Sequence, residues 1–157
     1  EDGTIALEAM IIMPAMFWAF LATFSIFDSY RMYTINQKAA FTIGDAISRE
    51  TAPLDDAYLT GVKQLFEYLS QSNGNSSLRV TSLVYDATDN RFYADWSKTR
   101  DWTDRLPVMP DNERVMLVET FTNYTAPFSI GLEEREISNF VFTRPRFAPR
   151  VCWEQCD

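Results

Sequence analysis

The sequence predicts an α+β protein: a very long N-terminal helix that crosses a membrane and continues into a soluble domain, a second helix, and a roughly four-stranded antiparallel sheet. Three observations predict it. Residues 9–27 carry no charge and are almost wholly apolar. Helical spacing of apolar residues continues to residue 48 and resumes over 55–71. From residue 78 onward the pattern changes to short runs rich in β-branched and aromatic residues, separated by turn residues. Helices followed by a run of strands define the α+β class.

The first element is the apolar stretch. A bilayer core of about 30 Å takes roughly 20 helical residues to cross, and residues 5–27 supply that length. Thr23 and Ser25 can return their hydroxyls to the helix backbone. A chain of 157 residues has too little interior to hide a helix apolar on every side, so the stretch reads as a membrane span. Glu8 lies one turn inside it, where a charge costs on the order of 2.5–3.5 kcal/mol at mid-membrane and less at headgroup level. Pro14 removes a hydrogen bond to the Met10 carbonyl and is expected to bend the helix. Phe17, Trp18, Phe20, Phe24 and Phe27 spread over several faces. Lipid contact accounts for them by default, and packing against partner helices or pigments is the sharper reading.

Beyond the span, Tyr30, Tyr33, Gln37, Ala40, Ile43 and Ile47 recur at three or four residues, with Arg31, Asn36, Lys38 and Asp45 mostly on other faces. Tyr30 and Tyr33 suit the interfacial belt. One helix over 4–48 would be about 65 Å long. Ala52-Pro53 ends it. The second helix, 55–71, shows an apolar stripe of Tyr58, Val62, Leu65, Phe66 and Leu69, with Asp55 and Asp56 in the first turn, where the helix dipole favours acids. A turn cluster at 72–77 leads into strands at 78–85 and 91–98, the latter with Phe92, Ala94 and Trp96 on one face. A loop with Trp102 follows. The strand 113–124 is apolar on both faces and therefore expected at the centre of the sheet. Residues 125–136 form a connection with an apolar patch at Phe128-Ser-Ile130, and the strand 137–143 is ended by Pro145 and Pro149. The chain thus divides into a span, 1–27, and a domain, 28–157. Within the domain the helical extension is 28–50, the second helix 54–72, the sheet 78–146 and the tail 147–157.

Composition narrows the function. Net charge is −8, and setting aside Glu1, Asp2 and Glu8 leaves −5, which argues against nucleic acid and against docking on anionic lipid. Histidine, the commonest metal ligand and general base, is absent from the sequence. Cys152 and Cys156 are too few for a structural zinc site, and their spacing and tail position do not suit a redox dithiol. A local disulfide outside the cytosol is the preferred reading, with two free thiols as the alternative. Glu133, Glu134 and Glu136 read as solvated surface, since no apolar setting separates their acidities. Asp86-Ala-Thr-Asp-Asn90 reads as a hairpin turn and lacks the glycine and distant glutamate of a calcium loop. Trp96, Trp102 and Trp153 read as core or rim packing before partner contact. Asn75-Ser-Ser and Asn123-Tyr-Thr match the glycosylation triplet, which is moot if the source is bacterial. With neither a phosphate-cradling loop nor a nucleophile–base pair in the sequence, we expect no catalytic residue, metal, cofactor or small-molecule substrate.

One stretch carries a resemblance. Gly3-Thr-Ile-Ala-Leu-Glu8 before an apolar helix has the pattern that prepilin peptidases read, with the cut after the glycine and a glutamate five residues on. The wider string Asp2-Gly-Thr-Ile-Ala-Leu-Glu-Ala-Met-Ile-Ile-Met-Pro14 resembles the start of the TadE/TadG-like proteins of the tight-adherence pilus system. Arg144-Pro145-Arg146 matches a short motif typical of that family. The resemblance is strongest over 2–50, returns at 144–146, and elsewhere is only in the order of elements. It implies a pilin-like fold, a single pass through a bacterial inner membrane, a periplasmic domain, and assembly with other membrane-protein subunits in place of catalysis. Gly3, Thr4 and Glu8 would then be processing or registry residues, with Pro14 setting the bend and Cys152 and Cys156 clipping the tail.

Two features cut across that picture. Arg31 and Lys38 follow the span and no basic residue precedes it in the sequence, so a literal charge count puts the domain in the cytosol. A basic leader ahead of Glu1, together with the cysteine pair, restores the periplasmic orientation. A cut after Gly3 would leave Thr4 first, so the presence of Glu1-Asp-Gly3 implies either escape from the peptidase, as expected of TadG-like members, or a leader trimmed elsewhere. The rival reading is an accessory subunit of a respiratory or photosynthetic membrane complex built on the same scaffold, favoured by the uncut N-terminus and the aromatic-rich span. A periplasmic enzyme tethered by its helix is the third, without a reactive constellation to support it.

Overall fold

The computed structural model describes residues 2–72, 74–96, 106–128 and 134–156, with side chains from Leu7 onward. Trp102, Ile130 and Glu133 lie outside the described residues. The architecture is α+β, as the sequence predicts. Helix α1 is Asp2–Ser48 and α2 is Asp56–Ser70; β1 is Ser76–Asp86, β2 Arg91–Trp96, β3 Arg114–Tyr124 and β4 Arg135–Thr143. The four strands form one sheet in the order β2-β1-β3-β4, every neighbouring pair antiparallel.

Helix α1 has 47 residues and is therefore about 70 Å long. It runs through Pro14 without interruption. Side chains from Leu7 to Phe20 are exposed, whereas Ala39, Ala40, Ile43 and Ile47 are buried against the sheet. This corrects part of the sequence reading. Tyr30 and Tyr33 are 72% and 47% exposed, Gln37 is also exposed, and Asn36 takes the buried place. The physical reason is a partner on β3: the Thr122 hydroxyl donates to Asn36 Oδ1 at 2.7 Å, and Asn36 Nδ2 donates to the Met32 carbonyl at 2.9 Å. Once its amide is satisfied, Asn36 continues the phase set by Ala39, Ala40, Ile43 and Ile47. Near the top of this face Gly44 allows a close approach, since a Cβ there would stand 3.1 Å from Val141 Cγ1.

Helix α2 begins where Asp55 accepts a hydrogen bond from the Tyr58 backbone N–H at 2.7 Å. It ends at Gln71 in the left-handed region, φ 57°, where the Ser72 N–H reaches back to the Glu67 carbonyl. Val62 and Phe66 are buried, and Tyr58, Leu59 and Leu69 pack beside them, but Leu65 is 42% exposed and leaves the expected stripe.

The sheet is covered on both faces. Ala40, Ile43, Ile47, Phe66, Val80, Met116, Val118 and Val141 form the core under the helices. On the other face Leu83, Tyr85, Phe92, Val115 and Leu117 pack under Leu106 and Met109 of the segment before β3. β3 is central and buried on both sides, as expected. The prediction that Phe92, Ala94 and Trp96 share a face is corrected. Phe92 and Ala94 join the outer cluster, while Trp96 packs with the helix-side core. Pairing jumps from Leu83↔Ala94 to Ser82↔Trp96, and this bulge at Asp95 turns Trp96 through the sheet.

Candidate functional site

Two ends of the molecule carry the residues the sequence singles out. The lower end is the stretch of α1 from Leu7 to Phe20, whose side chains are exposed. Leu7–Ser48 is long and apolar enough to include a membrane crossing. Glu8 and Asp28 bracket 19 uncharged residues, about 28 Å of helix and close to the thickness of a hydrocarbon core. Phe17, Trp18 and Phe20 are each more than 60% exposed. Phe24 differs, because its ring meets Phe128 edge-on at 6.1 Å between centroids. Gly3 and Thr4 lie in the first turns of α1, far along the helix from any residue of the domain.

Where α1 enters the domain, a polar contact marks the junction. The Tyr124 hydroxyl donates to Asp28 Oδ2 at 2.9 Å, and Tyr124 is buried at the end of β3. Burial, and then the hydrogen bond to Asp28 and its charge, push the phenol up to about 12. Tyr58 is likewise pushed up to about 12, first by burial and then by Glu50. A group whose folded-state pKa lies above the usual tyrosine value, about 10, contributes stability that is complete below that value and lost as pH rises through the folded-state pKa. The domain is therefore expected to weaken as pH rises from about 10 to 12. Late phenolate absorbance in wild type, with Tyr124→Phe and Tyr58→Phe each removing one late-titrating ring, would check it. Beside the junction, Tyr30, Tyr33, Arg135 and Ile137 line a groove between α1 and β4.

The upper end gathers the C-terminal motifs. Arg144 pairs with Glu113 at 2.9 Å and Arg146 with Asp45 at 3.1 Å, Asp45 also receiving Arg49 at 2.9 Å. The Arg146 N–H donates to the Ser48 carbonyl at 2.8 Å. The Arg144-Pro145-Arg146 segment thus fastens the end of β4 to the last turn of α1 and the start of β3. Each exposed pair is worth at most about 1 kcal/mol.

Cys152 and Cys156 are joined by a disulfide, Cα atoms 5.3 Å apart. The bridged tail straps the link between the helices. The Leu54 N–H donates to the Cys152 carbonyl and the Glu154 N–H to the Leu54 carbonyl, both at 2.8 Å. Trp96 Nε1 donates to the Val151 carbonyl at 2.9 Å, and the Trp96 and Trp153 rings pack at 5.5 Å. Replacing both cysteines by serine is expected to cost about 2 kcal/mol, the loop-entropy value for so short a closure. Chemical denaturation of the variant beside the reduced wild type would measure it.

The remaining motifs resolve as structure. Asp86 Oδ1 accepts the Thr88 N–H at 2.7 Å and Asn90 takes φ 53°, so 86–90 is a hairpin turn. Among the described residues no group of three or more histidine, cysteine, aspartate or glutamate side chains is placed to hold a metal ion. The two polar contacts that tie α1 to β3, Asp28–Tyr124 and Asn36–Thr122, were not singled out from sequence. The acid directly after the apolar run and the asparagine at the phase of the buried stripe are the signals that point to them.

Comparison of the chain with protein-family models, curated proteins and solved structures found no match.

Proposed function

We propose that this chain is a non-catalytic, single-pass protein of a bacterial inner membrane whose domain stands in the periplasm and whose work is assembly, as its resemblance to TadE/TadG-like proteins implies. The observation that carries the reading is α1 itself. One continuous helix is exposed from Leu7 to Phe20, uncharged from Ala9 onward in that stretch, and core-forming from Ala39 to Ile47. Such a helix holds its domain in a fixed relation to the bilayer and leaves an aromatic surface free for a neighbouring span. Gly3, Thr4 and Glu8 serve as registry residues on this reading, Glu8 at headgroup level.

A photo-crosslinking residue at Trp18 or Phe20 in living cells tests it, with adducts to another membrane protein expected. Adducts to lipid alone would remove the assembly role. Orientation is tested with Tyr68→Cys, 81% exposed on α2: labelling by a membrane-impermeant maleimide in cells whose outer membrane is permeabilised supports the periplasm, and protection until the inner membrane is broken refutes it. Glu8→Gln should impair incorporation, and unchanged incorporation would remove that carboxylate from the proposal.

The exposed rings of Phe17, Trp18 and Phe20 also favour a second reading, an accessory subunit seated permanently in a larger respiratory or photosynthetic complex. Stoichiometric co-purification with such a complex in mild detergent would select it over a pilus-assembly role.

A further inference from the structure

The contacts of α1 do not stop at Asp28, the acid directly after the apolar run. Ser25 is completely buried, and Leu21 and Ala22 are half-buried, while side chains from Leu7 to Phe20 are exposed. Something in the chain therefore covers α1 on the apolar side of Asp28. The described residue seen there is Phe128, in the connection between β3 and β4, whose ring meets Phe24. Phe24 is four residues before Asp28, about 6 Å further down the helix axis. Residues 125–128, Thr-Ala-Pro-Phe, carry no charge, and Phe128 keeps 39% of its surface open beyond its contact with α1.

From this juxtaposition we infer that Phe128 is a second membrane contact: the lower rim of the domain dips beside α1 into the boundary between headgroups and acyl chains, with lipid on the open side of the ring. The inference rests on reading α1 as a membrane span. Depth favours lipid over a protein partner, because the ring lies at the level of Phe24 inside the uncharged run while Asp28 and Tyr124 hold the headgroup level above it. That zone suits an aromatic ring, and irregular backbone there still reaches water. Contact by an uncharged ring also agrees with the acidic balance of the chain, which gives no attraction to anionic lipid.

Spin labels on the full chain in phosphatidylcholine nanodiscs test this, placed singly by Met16→Cys in the apolar run, Phe128→Cys and Tyr68→Cys. The Cys152–Cys156 disulfide is kept oxidised. Collisions with oxygen report lipid, and collisions with a water-soluble nickel chelate report solvent. We expect the labels at 16 and 128 to favour oxygen and the label at 68 to favour nickel, a several-fold difference in their ratio. A label at Pro127→Cys, with Phe128 kept, should lose its oxygen preference when Phe128→Asp is added. A lipid-like 16 with a water-like 128 would overturn the inference and leave the span intact. Shielding of 128 from both reagents would overturn it in favour of a protein partner. A water-like label at 16 would remove the membrane reading itself.

Discussion

Phe66→Ala is expected to destabilise the domain by about 3–5 kcal/mol, the range for removing a fully buried ring. Phe66 has no exposed surface and lies in the cluster that joins Ile43 and Ile47 of α1 to Val80, Met116 and Val118 of the sheet. It is also the largest side chain that α2 buries; its companion Val62 is much smaller. The cavity would open at the meeting point of three elements, none of which can close it without leaving the others. Chemical denaturation of the detergent-solubilised protein, followed by tryptophan fluorescence, would measure the loss, with Leu65→Ala as the neighbouring half-exposed control. A cost no larger than that of the control would show that α2 is not seated through this ring.

The second large effect is on insertion. Trp18 lies at the middle of the uncharged run and is 62% exposed, so its replacement removes little packing within the chain. Trp18→Arg places a guanidinium at the bilayer centre, a position that costs about 2.5–3.5 kcal/mol on insertion scales. Insertion into microsomes should fall by roughly a hundredfold in equilibrium terms at about 1.4 kcal/mol per decade. The same change at Glu8, Glu8→Arg, sits at headgroup level and should leave insertion nearly unchanged. Equal losses at the two positions would show that depth along α1 has been assigned wrongly.

The extent to which the sequence disclosed this structure follows from the range of the forces involved. Local signals were legible: the uncharged run, Asp55 at the head of α2, the turn at 86–90 and the doubly apolar β3 each follow from neighbouring residues. The misplaced details depend on partners far away in the chain. Asn36 is buried because Thr122, 86 residues on, supplies a hydroxyl, and Asp28 meets Tyr124 96 residues on. Periodicity weighs an asparagine as polar and a tyrosine as apolar, so it turned the face of α1 toward Tyr30 and Tyr33. Trp96 was misassigned for a related reason, since alternation in a strand assumes an unbroken pleat and the bulge at Asp95 breaks it. At the upper end, the Arg144-Pro145-Arg146 and cysteine motifs were visible as strings, but their role as a strap over Ser48 and Leu54 appears only once the ends of α1, β4 and the tail are brought together.

On the membrane reading proposed above, one rod serves both lipid and domain, so any change in its lean is carried to the opposite pole. Ser48 stands about 30 Å above Asp28 along the axis, so a tilt change of about 10°, within the ordinary range for single spans, sweeps that pole sideways by about 5 Å. A thinner or thicker bilayer would thus reposition Arg146, the disulfide and the paired tryptophans relative to any neighbour fixed in the same sheet of lipid, without a hinge anywhere in the domain.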